Sequence, residues 1–585
     1  MAFWASPIWF SPDPQFCYPM RKKLQLVLLG LIGILVFSSC SSTRQMMNRY
    51  RSVMEIPEEE EPYPELTPRA KLLGELTAPR ICYDVTFYDL NIEIDIDNRK
   101  IAGYVDFHAL AVNDFTKLQF DLAKNMILDE VNYKGKTLSY VREEDAVFVI
   151  FPTVVSGTQF QFRVTYHGEP IEAKRPPWDG GFVWEKDKAD RDFVGVACEG
   201  DGASLWWPCK DHPTEEPDSM AINITVPSDI MCVANGRLRE KVETDVKTTY
   251  KWFVSNPINN YNVSVNIANY AVIADTIHSV TGIQPATYYV LDYNEAVAKE
   301  HFKEARDMMR SLEKFFGPFP WWEDGFKLVE TPYLGMEHQT AVAYGNDFRI
   351  YDKSKTRSIY GFIDYITLHE IAHEWWGNSI TACDGADVWL HEGFAMYSEV
   401  LYIEDQLGYP MSIHYLLELR PRIRNRRAIV GPRDEYFWGF EDAYNKGAWI
   451  LHTLRGVLDD DNMFFGILKG FQQEFGSQIV CTEDLVEYIN KVTGQDFKPF
   501  FNQYIFDRRP PTLEYSLSND KLFYRYTGIL PEFSMPINVL VNKNEVRLQP
   551  TTVTQTLTIP DYATVQIMDW EYLILKKENP ELKEN

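Results

Sequence analysis

From residue 83 to about 274 the chain alternates apolar and polar positions, the period of strands with one buried face. Asn91-Ile92-Glu93-Ile94-Asp95-Ile96 is the clearest run, and it turns at Asp97-Asn98. Tyr133-Lys134-Gly135-Lys136 is a second turn. Phe148-Val149-Ile150-Phe151 and Tyr261-Asn262-Val263-Ser264-Val265 continue the strand pattern. Near residue 295 the period changes to that of a helix. Residues 295–316 read as one helix, stopped by Gly317-Pro318. Lys327-Leu328-Val329-Glu330 reads as a strand leading into Leu334-Gly335-Met336-Glu337-His338. Residues 358–376 and 388–407 read as two more helices, the first ended by Gly377. Tyr444-Asn445-Lys446-Gly447-Ala448 opens another. After Arg508-Arg509-Pro510-Pro511 the strand pattern returns, with Val539-Leu540-Val541 before a turn and a β-branched alternation over 551–559. Two sheets are needed to bury such alternating faces. The fold class is therefore multidomain α+β: a β saddle or sandwich over 78–275, a mostly helical region over 276–510, and a small C-terminal β-sandwich over 511–585.

Length agrees, since 585 residues are too many for one core. Hydrophobic content of 45% and charged content of 24% fit a folded globular chain. A formal charge of -26 argues against nucleic acid or an anionic membrane surface as the main partner. The first forty residues change the picture. Arg21-Lys22-Lys23 precedes an apolar run over 24–37, which suits an export signal and falls short of the roughly 20 residues of a membrane-spanning helix. The run ends Phe37-Ser38-Ser39-Cys40, which resembles a bacterial lipobox with Cys40 as the lipidated residue. Met20 stands where translation would start. The expectation is an exported lipoprotein, anchored in the outer membrane of a Gram-negative bacterium and facing the periplasm or cell surface. Residues 41–77, with Glu58-Glu59-Glu60-Glu61 between prolines, read as an extended tether. Six further cysteines (Cys82, Cys198, Cys209, Cys232, Cys383 and Cys481) have no zinc-finger spacing. Export permits disulfides, but their pairing is not readable from spacing.

The chemistry centres on His369-Glu370-Ile371-Ala372-His373. Residues four apart share a helix face, so both imidazoles can reach one metal. Zinc accepts histidine nitrogen and carboxylate oxygen and keeps one position open for water. Glu392, on the next helix, can return a carboxylate as third ligand, and Glu370 can act as base. The same five residues also fit a surface helix with two histidines. Glu399 lies two turns beyond Glu392 and could hold a ligand histidine by its free ring N–H; it also fits an exposed helix position. Tyr444 could donate to an oxyanion or simply pack in the core. Ala197-Cys198-Glu199-Gly200-Asp201-Gly202 interrupts the strand pattern as a tight loop carrying carboxylates.

Together these residues resemble the zinc aminopeptidases of the aminopeptidase N and leukotriene hydrolase family, in the gluzincin group. The metal motif and the gap to Glu392 match. Trp389-Leu390-His391-Glu392-Gly393-Phe394-Ala395 is similar to the segment around the third ligand, with His391 where Asn is usual. Leu334-Gly335-Met336-Glu337-His338 is similar to the G-x-M-E-N exopeptidase motif, with Leu334 for Gly and His338 for Asn. Tyr444 matches the transition-state tyrosine, and Glu199 an upstream residue that helps hold the substrate amine. Ala197 falls where Gln is common. The resemblance covers roughly residues 80–510. It implies a thermolysin-like catalytic domain, one zinc ion held by His369, His373 and Glu392, and peptide substrates bound through a free N-terminus by Glu337 and Glu199. Many members continue into a large helical domain, so it also implies a less enclosed site here. Competing readings are a zinc endopeptidase or epoxide hydrolase on the same scaffold, and an inactive surface peptide-binding module. Residue preference, peptide length and oligomeric state are not legible.

Overall fold

A computed structural model of the chain describes residues 56–349, 361–436 and 442–583. The export segment, with Met20 and Cys40, lies outside the described residues. Among the described residues, no helix is long and apolar enough to cross a membrane.

Strand Tyr83–Asp95 lies in an eight-stranded sheet, antiparallel to Lys100–Ala111 on one side and parallel to Ser219–Pro227 on the other. Its alternation is realised directly: Leu90, Ile92 and Ile94 are buried, while Glu93 and Asp95 are exposed. A four-stranded and a three-stranded sheet share the core beneath it. This is the N-terminal β domain.

The segment 261–265, read as a strand, takes another form. Residues Asn260–Asn262 make a 3-10 turn, and the strand begins only at Asn266–Ala268. Buried side-chain amides explain the difference. Asn259 caps the turn by accepting from the Asn262 N–H. The Asn262 amide donates to Asn378 at 2.7 Å and accepts from the Gln339 N–H at 2.9 Å. Such side-chain bonds compete with a sheet ladder. Here they also tie the β domain to two catalytic segments, and they set Tyr261 beside Glu337.

The boundary drawn at 275 also moves. Strand Tyr270–Ser279 crosses it and pairs with Gly282–Leu291, in a five-stranded sheet with Phe326–Glu330, Val342–Tyr344 and Gly335–Met336. The last of these is a short antiparallel edge strand. The run 295–316, read as one helix, breaks at Phe302 into Glu295–His301 and Lys303–Phe316.

Three helices carry the site. Helix α1 (Tyr365–Ala372) is capped by Asp364, whose carboxylate accepts from the N–H groups of Ile366 and Thr367. It is shorter than the 358–376 read from sequence: its helical residues start after Asp364 and end at Ala372, with His373 as the C-cap and Gly377 in the following turn. Helix α2 (Trp389–Leu407) carries Glu392, and helix α3 (Asp442–Leu458) carries Tyr444. α2 and α3 cross at Gly393 and Gly447. A Cβ built on Gly447 would lie 2.8 Å from the Gly393 Cα, so the approach requires glycine.

Residues 68–77, placed in the tether from sequence, are folded. Helix Pro68–Gly74 is capped by Thr67, and Leu73 is fully buried. The Ala70 carbonyl accepts from the Tyr436 N–H at 2.9 Å. The acidic run before it lies against arginines: Arg508 donates to the Pro57 carbonyl, and Arg427 to that of Glu61. Hydrogen bonds to the scaffold thus replace the free extension expected from charge alone.

At the other end, strands from Thr512–Leu517 to Leu575–Glu578 form a four-stranded and a three-stranded sheet. Their apolar faces join the core of the catalytic helices. A disulfide between Cys383 and Cys481 closes a connection the sequence left open.

Candidate active site

α1 and α2 bring His369, His373 and Glu392 together. One ligand atom from each lies within 4.8 Å of the others, and all three residues are buried or nearly so. Glu392 Oε2 is 3.2 Å from His369 Nε2 and 3.6 Å from His373 Nε2. Both Nδ1 atoms face away from that point. His369 Nδ1 is 2.8 Å from Glu399, which also accepts from the Tyr415 hydroxyl. His373 Nδ1 is 2.8 Å from the Trp376 carbonyl. Partners at both Nδ1 atoms favour the tautomer that leaves each Nε2 free to bind a metal. Two imidazole nitrogens and a carboxylate form the three-ligand set of a catalytic zinc with an open position. Burial raises the energy of a charged Glu392, yet His373 and His369 hold its carboxyl far below the usual range. Burial likewise opposes a charged His369, and the carboxylates of Glu392 and Glu399 overrule it. The pocket is built for positive charge.

Glu370 lines the same cleft. Burial pushes its carboxyl up to about 8, against the pull of His369 and with the push of Glu337. A divalent cation beside it would draw that value down. Gly335 sets the clearance: a Cβ there would sit 2.6 Å from Glu370 Oε1 and 2.7 Å from Ile366. Only a bare backbone lets this edge strand pass over the base. Tyr444 stacks on His369, with centroids 6.0 Å apart and planes at 14°, and its hydroxyl reaches Glu392.

Glu199 and Glu337 line the same cleft beside the metal ligands, and the cleft holds a cavity of about 600 Å³. The two carboxyls hydrogen-bond each other. Tyr261 donates to Glu337 at 3.1 Å. Burial, then the charges of Glu337 and Glu392, hold Glu199 well above the usual carboxylate range. Glu337, Glu370 and His373 also come close enough to share an ion. That grouping borrows a ligand from the first, has one nitrogen only, and is the poorer zinc set.

Every catalytic, ligand and amine-binding residue named from sequence in the described region therefore lines one cleft, and Glu399 is buried behind His369. His338 and His391 do not line it. His391 is packed behind His373 and accepts from the Ala382 N–H at 2.7 Å. His338 is fully buried, and neither ring nitrogen meets a hydrogen-bond partner among the described residues. Sequence reasoning missed Tyr261, Tyr415 and Tyr436. None sits in a motif, and only the folded contacts reveal them.

Comparison with known proteins agrees with this geometry. The Peptidase M1 N-terminal domain matches residues 85–261, and the Peptidase family M1 domain matches residues 300–504. Aminopeptidase B of Mus musculus is 26% identical over 304 residues, 48% of this chain and 43% of that protein. Leucyl aminopeptidase of Saccharolobus solfataricus is 22% identical over 423 residues, 68% of this chain and 52% of that protein. The chain thus spans about half the length of these relatives. A mutant M1 zinc metallopeptidase of Deinococcus radiodurans, solved with a Tyr-Ser-Ala substrate, shares the fold. Its TM-score is 0.61 at 21% identity, covering 77% of this chain and 98% of that one. The two matched domains follow one another in order, and the metal their ligand set fits is zinc: the chain belongs to the M1 peptidase family.

Proposed function

We propose that the protein is an aminopeptidase that hydrolyses the N-terminal peptide bond of peptides. The observation that carries this reading is the Glu199–Glu337 carboxylate pair in the cleft that holds His369, His373 and Glu392. Two acids pressed together, Glu337 buried and Glu199 half-buried, stabilise a cation between them. A peptide's α-ammonium is such a cation. Pinned there, it brings only the first peptide bond to the metal ligands. His369, His373 and Glu392 would hold a zinc ion, which would supply Lewis-acid activation of a water and of the scissile carbonyl. Glu370 takes the proton of the attacking water and delivers it to the leaving amine. The Tyr444 hydroxyl donates to the carbonyl oxygen as it gains charge. Glu399 and the Trp376 carbonyl fix the imidazoles. Relatives named as aminopeptidases, and a neighbour solved with a tripeptide, support the reading.

A panel of amino-acid amides and short peptides, with and without a chelator, tests it. Free amines should be released one residue at a time, chelator should stop the reaction, and N-acetylated peptides should be inert. Internal cleavage would favour an endopeptidase. Turnover of an epoxide alone would favour an epoxide hydrolase. Absence of zinc from the purified protein would favour a binding module. We further propose export and lipid anchoring at Cys40, on the strength of residues 21–40. Labelled fatty acid should enter the wild-type protein and not Cys40→Ala; equal labelling would overturn the anchor.

A further inference from the structure

The amine-anchor loop touches a second loop that no motif marks. Its Asp201 accepts from the Gly180 N–H at 2.7 Å, and strand Gly181–Lys186 pairs with Asp192–Ala197, the strand leading to Glu199. Arg175 and Asp179 brace the second loop with a two-point ion pair, at 2.9 and 3.1 Å. At its tip stands Trp178, 69% exposed, on the rim of the active-site cavity. Most large aromatic side chains here are buried, including Trp206 and Trp207 of the same domain. An exposed indole on a braced loop, at a cleft mouth, is a ready contact surface, and tryptophan dominates many binding sites.

We propose that Trp178 is a specificity-determining residue that receives the first side chain of the substrate and favours large apolar ones. The inference rests on the aminopeptidase reading. With the ammonium at Glu199 and Glu337 and the first carbonyl at the metal ligands, the first Cα lies between them. Gly200, Asp201, Tyr436 and Trp178 line the same cavity beside the anchor. Gly200 leaves room there for a side chain. A leucine or phenylalanine fills that room against the indole and removes apolar surface from water. An alanine offers far less apolar surface to such a contact. The contact is made equally by substrate and transition state, so it acts on KM more than on kcat.

The test separates binding from turnover. Tripeptides beginning with Phe, Leu or Ala, and their N-acetyl forms, are titrated calorimetrically into Glu370→Gln protein with and without Trp178→Ala. Wild-type and Trp178→Ala kinetics run in parallel. Trp178→Ala should weaken the Phe and Leu peptides about tenfold, leave the Ala peptide within twofold, and raise KM with kcat kept. Trp178→Phe should recover most of the affinity. Equal loss for all three peptides, or no loss, overturns the assignment while free peptides still bind better than acetylated ones. If acetylated peptides bind as well as free ones, the aminopeptidase reading falls and the assignment with it.

Discussion

The cleft holds two neighbouring groups of carboxylates, and they reach opposite electrostatic states. At the metal site, Glu392 and Glu399 face imidazole nitrogens, and Glu392 is held far below its usual pKa. At the anchor, Glu337 faces Glu199 and the neutral hydroxyl of Tyr261, and Glu199 is pushed well above its usual pKa. Burial alone raises both acids; the neighbours decide the outcome. The metal site is arranged to hold a cation permanently. The anchor becomes favourable only when a cation arrives, and that is how a chain end can be told from a chain middle.

The contrast can be broken at several points. The largest effect belongs to Glu370→Gln. It keeps the metal ligands and removes the base, so kcat should fall by roughly 10²–10⁴-fold with zinc content unchanged. Elemental analysis alongside single-turnover rates checks both halves. Next, Glu337→Gln should lower kcat/KM for free-amine peptides by about 2–4 kcal/mol, expressed mainly in KM, because it removes a buried partner of the ammonium. A mutant with wild-type KM would remove the anchor from the account. Glu399→Gln acts one contact behind the metal and should weaken zinc by about 10–100-fold in a chelator competition, leaving KM for the loaded enzyme near wild type.

The smallest effect concerns His338, the neighbour of Glu337. Burial holds its pKa down to about 3, against about 6.5 when unfolded. Because the unfolded chain takes up the proton first, stability is complete above about pH 6.5 and is lost as pH falls toward 3. At pH 5 the loss from this residue is about 2 kcal/mol. Denaturant midpoints of metal-free protein at pH 7 and 5 should show it, and His338→Asn should flatten the difference.

Much of this cleft was legible before folding. His369, Glu370, His373 and Glu392 announce a metal because helical spacing turns sequence separation into geometry. Glu337, Glu199 and Tyr444 were legible only through family resemblance, since a lone Glu or Tyr has no periodic signature. The β domain showed in the alternation over 83–96. What escaped was set by contacts distant in sequence. The 3-10 turn at Asn260–Asn262 depends on Asn378 and Gln339. The helix Pro68–Gly74 is held by Tyr436 and His212. The Cys383–Cys481 pair forms where strand Ile380–Ala382 meets Gln478–Val480. No local pattern encodes such partners.

The claim at the centre is that cleavage is measured from a free amino end. Matched peptides, one free and one N-acetylated, incubated with the zinc-loaded protein and followed by mass spectrometry, test it most directly. The account predicts stepwise loss of single residues from the free peptide and no product from the acetylated one. Internal fragments, or equal rates on both peptides, would contradict it.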